Sequence, residues 1–270
     1  MEDLHEANRR VWNQAAGNYK QDLKESIDVL QSGRADLEPA ELEALKSLIG
    51  SGTVAVHLQC AAGHDSLALL NMGIRKVVGV DISEEMLAIA KVKSDTLGAN
   101  AEWIRSDILS LPETLNDAAD LVYTGKGAIN WIMDLKKWAR VVARILKPGG
   151  HLFLFEGHPI TYLFDTRTPT LCIAPEFKGY FAGTVYANQG WTEEYVGSLG
   201  LSPADHHTKH ERAGPVSEVI SELLDTGLVL AGFREYADPY WAEFPHMPAE
   251  ERSKLPNTYS VTLKKPLAAS

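Results

Sequence analysis

Residues 53–65, Thr-Val-Ala-Val-His-Leu-Gln-Cys-Ala-Ala-Gly-His-Asp, constrain the fold more than any other stretch of the chain. The first half is a short apolar run with β-branched residues, the pattern of a strand buried on both faces of a parallel sheet. Small residues follow, and then a helical pattern over Ser66-Leu67-Ala68-Leu69-Leu70. Strand, small-residue turn and helix bring a helix N-terminus and accessible backbone together, a geometry suited to a nucleotide. Eighteen residues beyond Gly63, a second apolar run, Val77-Val78-Gly79-Val80, ends in Asp81. An acid about 20 residues past such a turn, at the tip of the neighbouring strand, can bind both hydroxyls of a ribose.

The chain's 270 residues allow one large domain, or a core with one sizeable insertion. A formal charge of −10 argues against a nucleic-acid surface, which needs a basic stripe. The acidic, polar start Met-Glu-Asp-Leu-His-Glu predicts no signal peptide, and no apolar run approaches membrane-spanning length. Cys60 and Cys172 form neither a metal-ligand spacing nor a disulfide framework, so a reducing cytoplasm is expected and no metal.

Residues 5–30 carry a helical pattern interrupted by Gly17, in which Trp12 and Tyr19 either cover a sheet edge or form a cofactor lid. A second helix is expected over 40–49, behind Pro39. Strands and helices then alternate: strand 75–81, a helix capped by Ser83, strand 101–105, strand 119–123, helix 133–146 and strand 151–156. Lys147-Pro148-Gly149-Gly150 is expected to stop the last of these helices. Residues 157–214 lose the pattern yet hold eight aromatic residues, which predicts a cap over the strand ends rather than a solvated loop. Helix 215–226 and strands 228–236 and 258–263 complete the chain. The expected architecture is α/β: a doubly wound, Rossmann-like, seven-stranded sheet with an aromatic-rich cap inserted after the fifth strand. It divides into an N-terminal helical segment (1–50), a core (51–156 and 215–265) and the cap (157–214).

This layout resembles the class I S-adenosylmethionine-dependent methyltransferases. Gln59-Cys60-Ala61-Ala62-Gly63 stands at the family's glycine turn and Asp81 at its ribose acid, with Ile82 behind it to pack on the adenine. Ser106-Asp107-Ile108 matches the contact to the adenine amino group. Leu121-Val122-Tyr123-Thr124-Gly125 matches the fourth-strand motif near the transferred methyl, and Leu146-Lys147-Pro148-Gly149-Gly150 is the most family-specific stretch. Bacterial members reading His-Leu-Gln-Cys, Gly-x-Asp-Ser, Val-Tyr-Thr-Gly and Glu-Gly-His-Pro are closer still, matched here at 57–60, 63–66, 122–125 and 156–159. The resemblance implies S-adenosylmethionine as cofactor and a small-molecule acceptor. It implies cofactor contacts from Trp12, Tyr19, Gln59, Cys60, Ala61, Gly63, Asp65, Asp81, Ile82, Met86, Ser106, Asp107, Ile108, Thr124 and Gly125.

Three positions depart from the family. An acid is usual at 57 and glycines at 59 and 61, where this chain has His57, Gln59 and Ala61. Ala61 disfavours the positive φ that glycine allows. His57 cannot serve as an anion for the methionine ammonium, so Asp65 or a backbone carbonyl is expected to substitute.

Methyl transfer from a sulfonium needs alignment first, and a base only where the nucleophile must lose a proton. His158, past the fifth strand, is the leading candidate base, and its alternative is a turn residue ahead of Pro159. His206, His207 and His210 precede helix 215–226, with His210 taken as a second catalytic candidate. Trp131, His158, Tyr240 and Trp241 are expected to wall the acceptor site, and Lys126 reads as a surface cation. The leading reading is a methyltransferase acting on a small N or O nucleophile. An enzyme that transfers or cyclises the aminocarboxypropyl group, and a non-catalytic nucleotide-binding regulatory module, are the alternatives. A homodimer is left open.

Overall fold

The computed structural model describes residues 4–191 and 196–267. Its centre is a seven-stranded sheet formed by β1 (Val54–Leu58), β2 (Lys76–Asp81), β3 (Ala101–Arg105), β4 (Ala119–Gly125), β5 (Leu146–Gly157), β8 (Val229–Tyr236) and β9 (Thr258–Lys264). The order is β3-β2-β1-β4-β5-β9-β8. Neighbours from β3 to β5 pair in parallel, while β9 is antiparallel to both β5 and β8. The chain leaves β1 toward one edge and returns through β4 to the other side, so β1 and β4 flank the switch point, where a doubly wound sheet opens a ligand crevice.

The helices cover the two faces. On one side α6 (Leu135–Ile145) buries Leu135, Trp138, Val142 and Ile145 against Val56, Val122 and Leu152 of the sheet, with helix Val216–Leu224 beside it. On the other, α3 (Pro39–Lys46) and α4 (His64–Asn71) pack Leu45, Leu67 and Leu69 on Ala55, Val77 and Phe153. α5 (Glu84–Leu97) opens with the expected cap, the Ser83 hydroxyl accepting from the Met86 amide at 3.1 Å.

Two local expectations change. The N-terminal helical region breaks at Asp22 rather than Gly17, giving α1 (Leu4–Gln21) and α2 (Leu23–Gln31). Gly17 is accommodated in the helix because the loss relative to alanine is only about 1 kcal/mol. Lys147–Gly150 does not separate helix from strand: these residues already belong to β5, and the register against β4 shifts between Ala119 and Leu121. A side chain at Gly150 would come within 2.9 Å of the Ala119 carbonyl oxygen, so the close approach requires glycine there.

The segment after β5 has structure of its own, an antiparallel hairpin of β6 (Val185–Gln189) and β7 (Thr208–Arg212). It packs on α1, where the Asn8 side chain donates to the His210 carbonyl at 2.8 Å and accepts from the His210 amide at 2.7 Å. Asn8 thus satisfies a strand backbone as a further strand residue would.

Candidate active site

A cavity of about 350 Å³ opens at the C-terminal ends of β1, β2 and β4, beneath α1 and the loop after β8. Of the residues expected to bind cofactor or acceptor, its walls bring together Trp12, Tyr19, Gln59, Cys60, Ala61, Asp65, Asp81, Ile82, Asp107, Ile108, Gly125, Trp131, Tyr240 and Trp241. Gly63, Met86, Ser106 and Thr124 are not among the residues that line it.

The turn after β1 keeps the left-handed backbone that glycine would favour. Gln59 has φ 58° and Ala61 φ 44°, each at a cost of about 1–2 kcal/mol. Tertiary contacts over-determine that conformation. The Ala61 amide donates to Asp81 Oδ2 at 2.8 Å, the Cys60 amide to the Val80 carbonyl at 3.0 Å, and Gln59 Nε2 to the Ala128 carbonyl at 2.8 Å. The other oxygen-bearing arm of that amide, Gln59 Oε1, is buried with no hydrogen-bond partner among the described residues. Gly63 and Gly79 answer to packing, since a Cβ at either would lie 2.6 Å or less from the Trp103 ring.

At the β2 tip, Asp81 Oδ1 also accepts from the Ser83 amide at 2.8 Å. Burial lifts its carboxyl to about 6, against the pull of those amides. At the β3 tip, Asp107 accepts from the Leu109 amide at 2.8 Å and lies 2.8 Å from His5 Nδ1. Desolvation there works against ionisation, but the His5 and Leu109 hydrogen bonds prevail and hold the carboxyl below its ordinary value.

The opposite end is built on a buried charge cluster. Lys126 Nζ lies 3.1 Å from Asp65 Oδ2 and 3.3 Å from Glu41 Oε2, and the Tyr123 hydroxyl donates to Glu41 Oε1 at 2.5 Å. Lys126 is therefore an ion-paired wall of the cavity rather than the surface cation its sequence position suggests. Burial raises Glu41 to about 7, with Lys126 opposing. Asp65 is held low, its own burial outweighed by Lys126, His57 and His64. Beneath them His57 lies 2.7 Å from Ser66 Oγ and edge-on to Tyr123, and burial depresses its pKa to about 4. A neutral imidazole thus fills the position where the family carries an acid.

The third side is aromatic. Trp12, Trp131 and Trp191 form a cluster with ring centroids 4.7–5.7 Å apart, which joins α1, the loop after β4 and the hairpin segment. Glu156 moors that loop by accepting from the amides of Gly127, Ala128 and Ile129 at 2.8–2.9 Å.

The candidate bases do not reach this cavity. His158 is buried between Tyr180 and Tyr259, with Nε2 3.2 Å from Glu235 and Nδ1 accepting from the Ile160 amide. Its pKa is lowered, by burial first, against the Glu235 carboxylate. His210 lies in β7, held through its backbone by Asn8. No cluster of three or more His, Cys, Asp or Glu residues able to hold a metal occurs among the described residues. Sequence reasoning missed His5, Asn8, Lys93 and Ala128 as cavity walls. His5 and Asn8 share a helical face with Trp12, and that spacing was their available signal.

Comparison with known proteins gives the family and the fold. Residues 55–150 match the methyltransferase domain family. A demethylmenaquinone methyltransferase from Thermus thermophilus is 34% identical over 63% of this chain and 78% of its own length. The chain belongs to the class I S-adenosylmethionine-dependent methyltransferases. A ubiquinone biosynthesis O-methyltransferase from Pseudomonas fluorescens is 27% identical over 48% of this chain, which spans only 56% of that relative. Among solved structures, an S-adenosylmethionine-dependent methyltransferase from Listeria monocytogenes superposes with a TM-score of 0.60. It covers 83% of this chain and 96% of itself at 19% identity, a likeness of fold. Against the class I pattern, the three departures at 57, 59 and 61 all fall on the turn and strand that floor the cavity.

Proposed function

We propose that this protein transfers the methyl group of S-adenosylmethionine to an oxygen or nitrogen of a small molecule. One observation carries the reading: a single cavity runs from acid-tipped strand ends to an aromatic wall at the switch point of the sheet. The donor set suits the cofactor. Asp81 would hold the ribose hydroxyls, and Ile82 and Ile108 would flank the adenine, with Asp107 near its amino group. Asp65 and Lys126 offer one anion and one cation for the zwitterionic amino-acid end, which explains how the chain manages without an acid at 57. The unpartnered Gln59 Oε1 requires an N–H or O–H donor, and a bound ligand would supply one.

When bound, the cofactor supplies an electrophilic methyl on a neutral leaving group. The work left to the chain is alignment and water exclusion, for which orientation alone can contribute about 7–11 kcal/mol. Trp12, Trp131, Tyr240 and Trp241 would sandwich a flat or apolar acceptor against the methyl. A net charge of −10 supports an acceptor that is not a nucleic acid. Incubation with methyl-labelled S-adenosylmethionine and a metabolite extract, followed by mass identification of the labelled product, tests the reading. Label on a small molecule is expected, whereas cofactor bound tightly with no product formed would leave a binding module instead.

A further inference from the structure

We propose that a second cavity, built by the segment after β5, binds a small organic cation with an apolar body and uses Glu243 as its counter-ion. This cavity has a volume of about 440 Å³, within the range of ordinary small-molecule sites. It lies across the turn Ile129–Trp131 from the first: Asn130 lines the second cavity and Trp131 lines the first. Nothing in the methyl-transfer reading requires it.

Its walls are aromatic, and among its charged residues Glu243 is the one that is both buried and without an ion pair among the described residues, Glu176 being exposed and 3.7 Å from Arg167. Tyr162, Phe164, Phe177 and Tyr186 line it, and the last two stack with centroids 6.2 Å apart. Arg167 is held by Asp165 at 2.7–2.8 Å, and Arg212 by Glu218 at 2.5–2.6 Å. Glu211 is held by Lys209 at 2.8 Å. Glu243 is only 8% exposed and makes no ion pair among the described residues. Among the described residues its side chain has one hydrogen-bonding neighbour, the Thr161 hydroxyl, 2.7 Å from Oε1. The same hydroxyl lies 2.8 Å from the His158 carbonyl oxygen, and its single proton cannot serve both acceptors.

A lone buried carboxylate in such a setting is costly, and burial lifts its carboxyl to about 7. A ligand ammonium would repair that deficit, since it brings the missing positive charge and donates to the carboxylate. Aromatic faces around the same space attract cations through their quadrupoles and receive an apolar body equally well. An anionic ligand finds no free cation there, because both arginines are already neutralised.

The test is calorimetry on the full chain saturated with S-adenosylhomocysteine, which the proposed function seats in the first cavity. Phenethylamine is the probe, and 2-phenylethanol is its neutral counterpart. The amine is expected to bind at least tenfold more tightly than the alcohol. That preference should vanish in Glu243→Gln, which fills the same space and can donate to Thr161. Phe177→Ala should weaken the amine severalfold, and unchanged S-adenosylhomocysteine binding would confirm that both variants fold. Equal binding of amine and alcohol, or an unchanged preference in Glu243→Gln, would overturn the proposal. Replacing the product with methyl-labelled S-adenosylmethionine then assigns the ligand. Binding without label makes the amine an effector and supports the site, whereas label on the amine would place it beside the methyl in the first cavity and overturn the proposal.

Discussion

The Ala61 amide donates to Asp81 Oδ2 at 2.8 Å, so the turn after β1 is moored to the tip of β2. This bond couples the two features that define the pocket: the carboxylate proposed to hold the ribose also holds the loop in its left-handed conformation.

Asp81→Ala should therefore lose more than a ribose contact. Charge-assisted hydrogen bonds contribute about 1.5–3 kcal/mol each, and the freed Ala61 amide loosens the turn as well. Affinity for S-adenosylmethionine and S-adenosylhomocysteine should fall at least tenfold by calorimetry, with the far-ultraviolet circular dichroism retained. Unchanged affinity would remove the cofactor assignment.

Lys126 bridges Asp65 and the fully buried Glu41. Lys126→Met leaves two carboxylates facing each other, and breaking one side of a buried pair commonly costs about 3–5 kcal/mol. Glu41→Gln in the same background should recover part of that loss, because it removes the repulsion. S-adenosylhomocysteine should bind the Lys126 variant more weakly, while 5′-methylthioadenosine, which lacks the amino-acid end, should be unaffected. Equal losses for both ligands would detach Lys126 from that end of the cofactor.

His57 gives the pH dependence a definite sign. The folded protein keeps its imidazole neutral down to about 4, whereas the unfolded chain takes up a proton below about 6.5. The unfolded state binds more protons between those values, so this stabilisation is complete above 6.5 and drains as the pH falls toward 4. The loss amounts to about 3 kcal/mol over the window. His57→Gln lacks the group, so its urea midpoint should fall less than that of the wild type between pH 7.5 and 4.5. Parallel midpoints would show that His57 is not the titrating group.

His158 sits against Glu235, Tyr180 and Tyr259 and outside the first cavity. His158→Ala should lower stability by about 1–3 kcal/mol through lost packing and hydrogen bonding, and should change S-adenosylhomocysteine affinity by less than threefold. Once an acceptor is known, turnover should also stay within threefold. A hundredfold loss would mean that the segment after β5 swings His158 into the cavity during catalysis.

The parallel sheet was legible because its strands are continuous apolar runs broken by turn residues, and the place of Asp81 at the β2 tip, lining the cavity, was legible from its spacing to the turn. Lys126 was not, because a lysine between two glycines carries no local sign of the buried carboxylates that α3 and α4 deliver to it. His158 lies off the cavity for a related reason. The sequence put it at a strand C-terminal end, where ligands gather, but β9 and Tyr259 cover that end of β5 from the antiparallel side. The hairpin β6–β7 was hidden because β6 is exposed at all but Tyr186 and β7 is half-buried throughout, so neither leaves a period-two pattern.

Gln59 yields the sharpest separation of stability from function. Its φ of 58° costs about 1–2 kcal/mol relative to glycine, and its Oε1 is buried without a partner. Both features destabilise the empty protein, and strain of this kind concentrates at functional sites. Gln59→Gly removes both at once. It loses the bond from Nε2 to the Ala128 carbonyl, a net contribution of about 1 kcal/mol. The urea midpoint should therefore stay level or rise. Ligand binding should move the other way, because the cavity loses the acceptor oxygen that the proposed ligand must satisfy. A drop of at least tenfold in S-adenosylhomocysteine affinity, with 5′-methylthioadenosine unaffected, would assign Oε1 to the cofactor ammonium. Retained cofactor affinity with turnover reduced at least tenfold would assign it to the acceptor. A variant equal to the wild type in both would make Gln59 a strained residue with no ligand, and would leave its departure from glycine without a function.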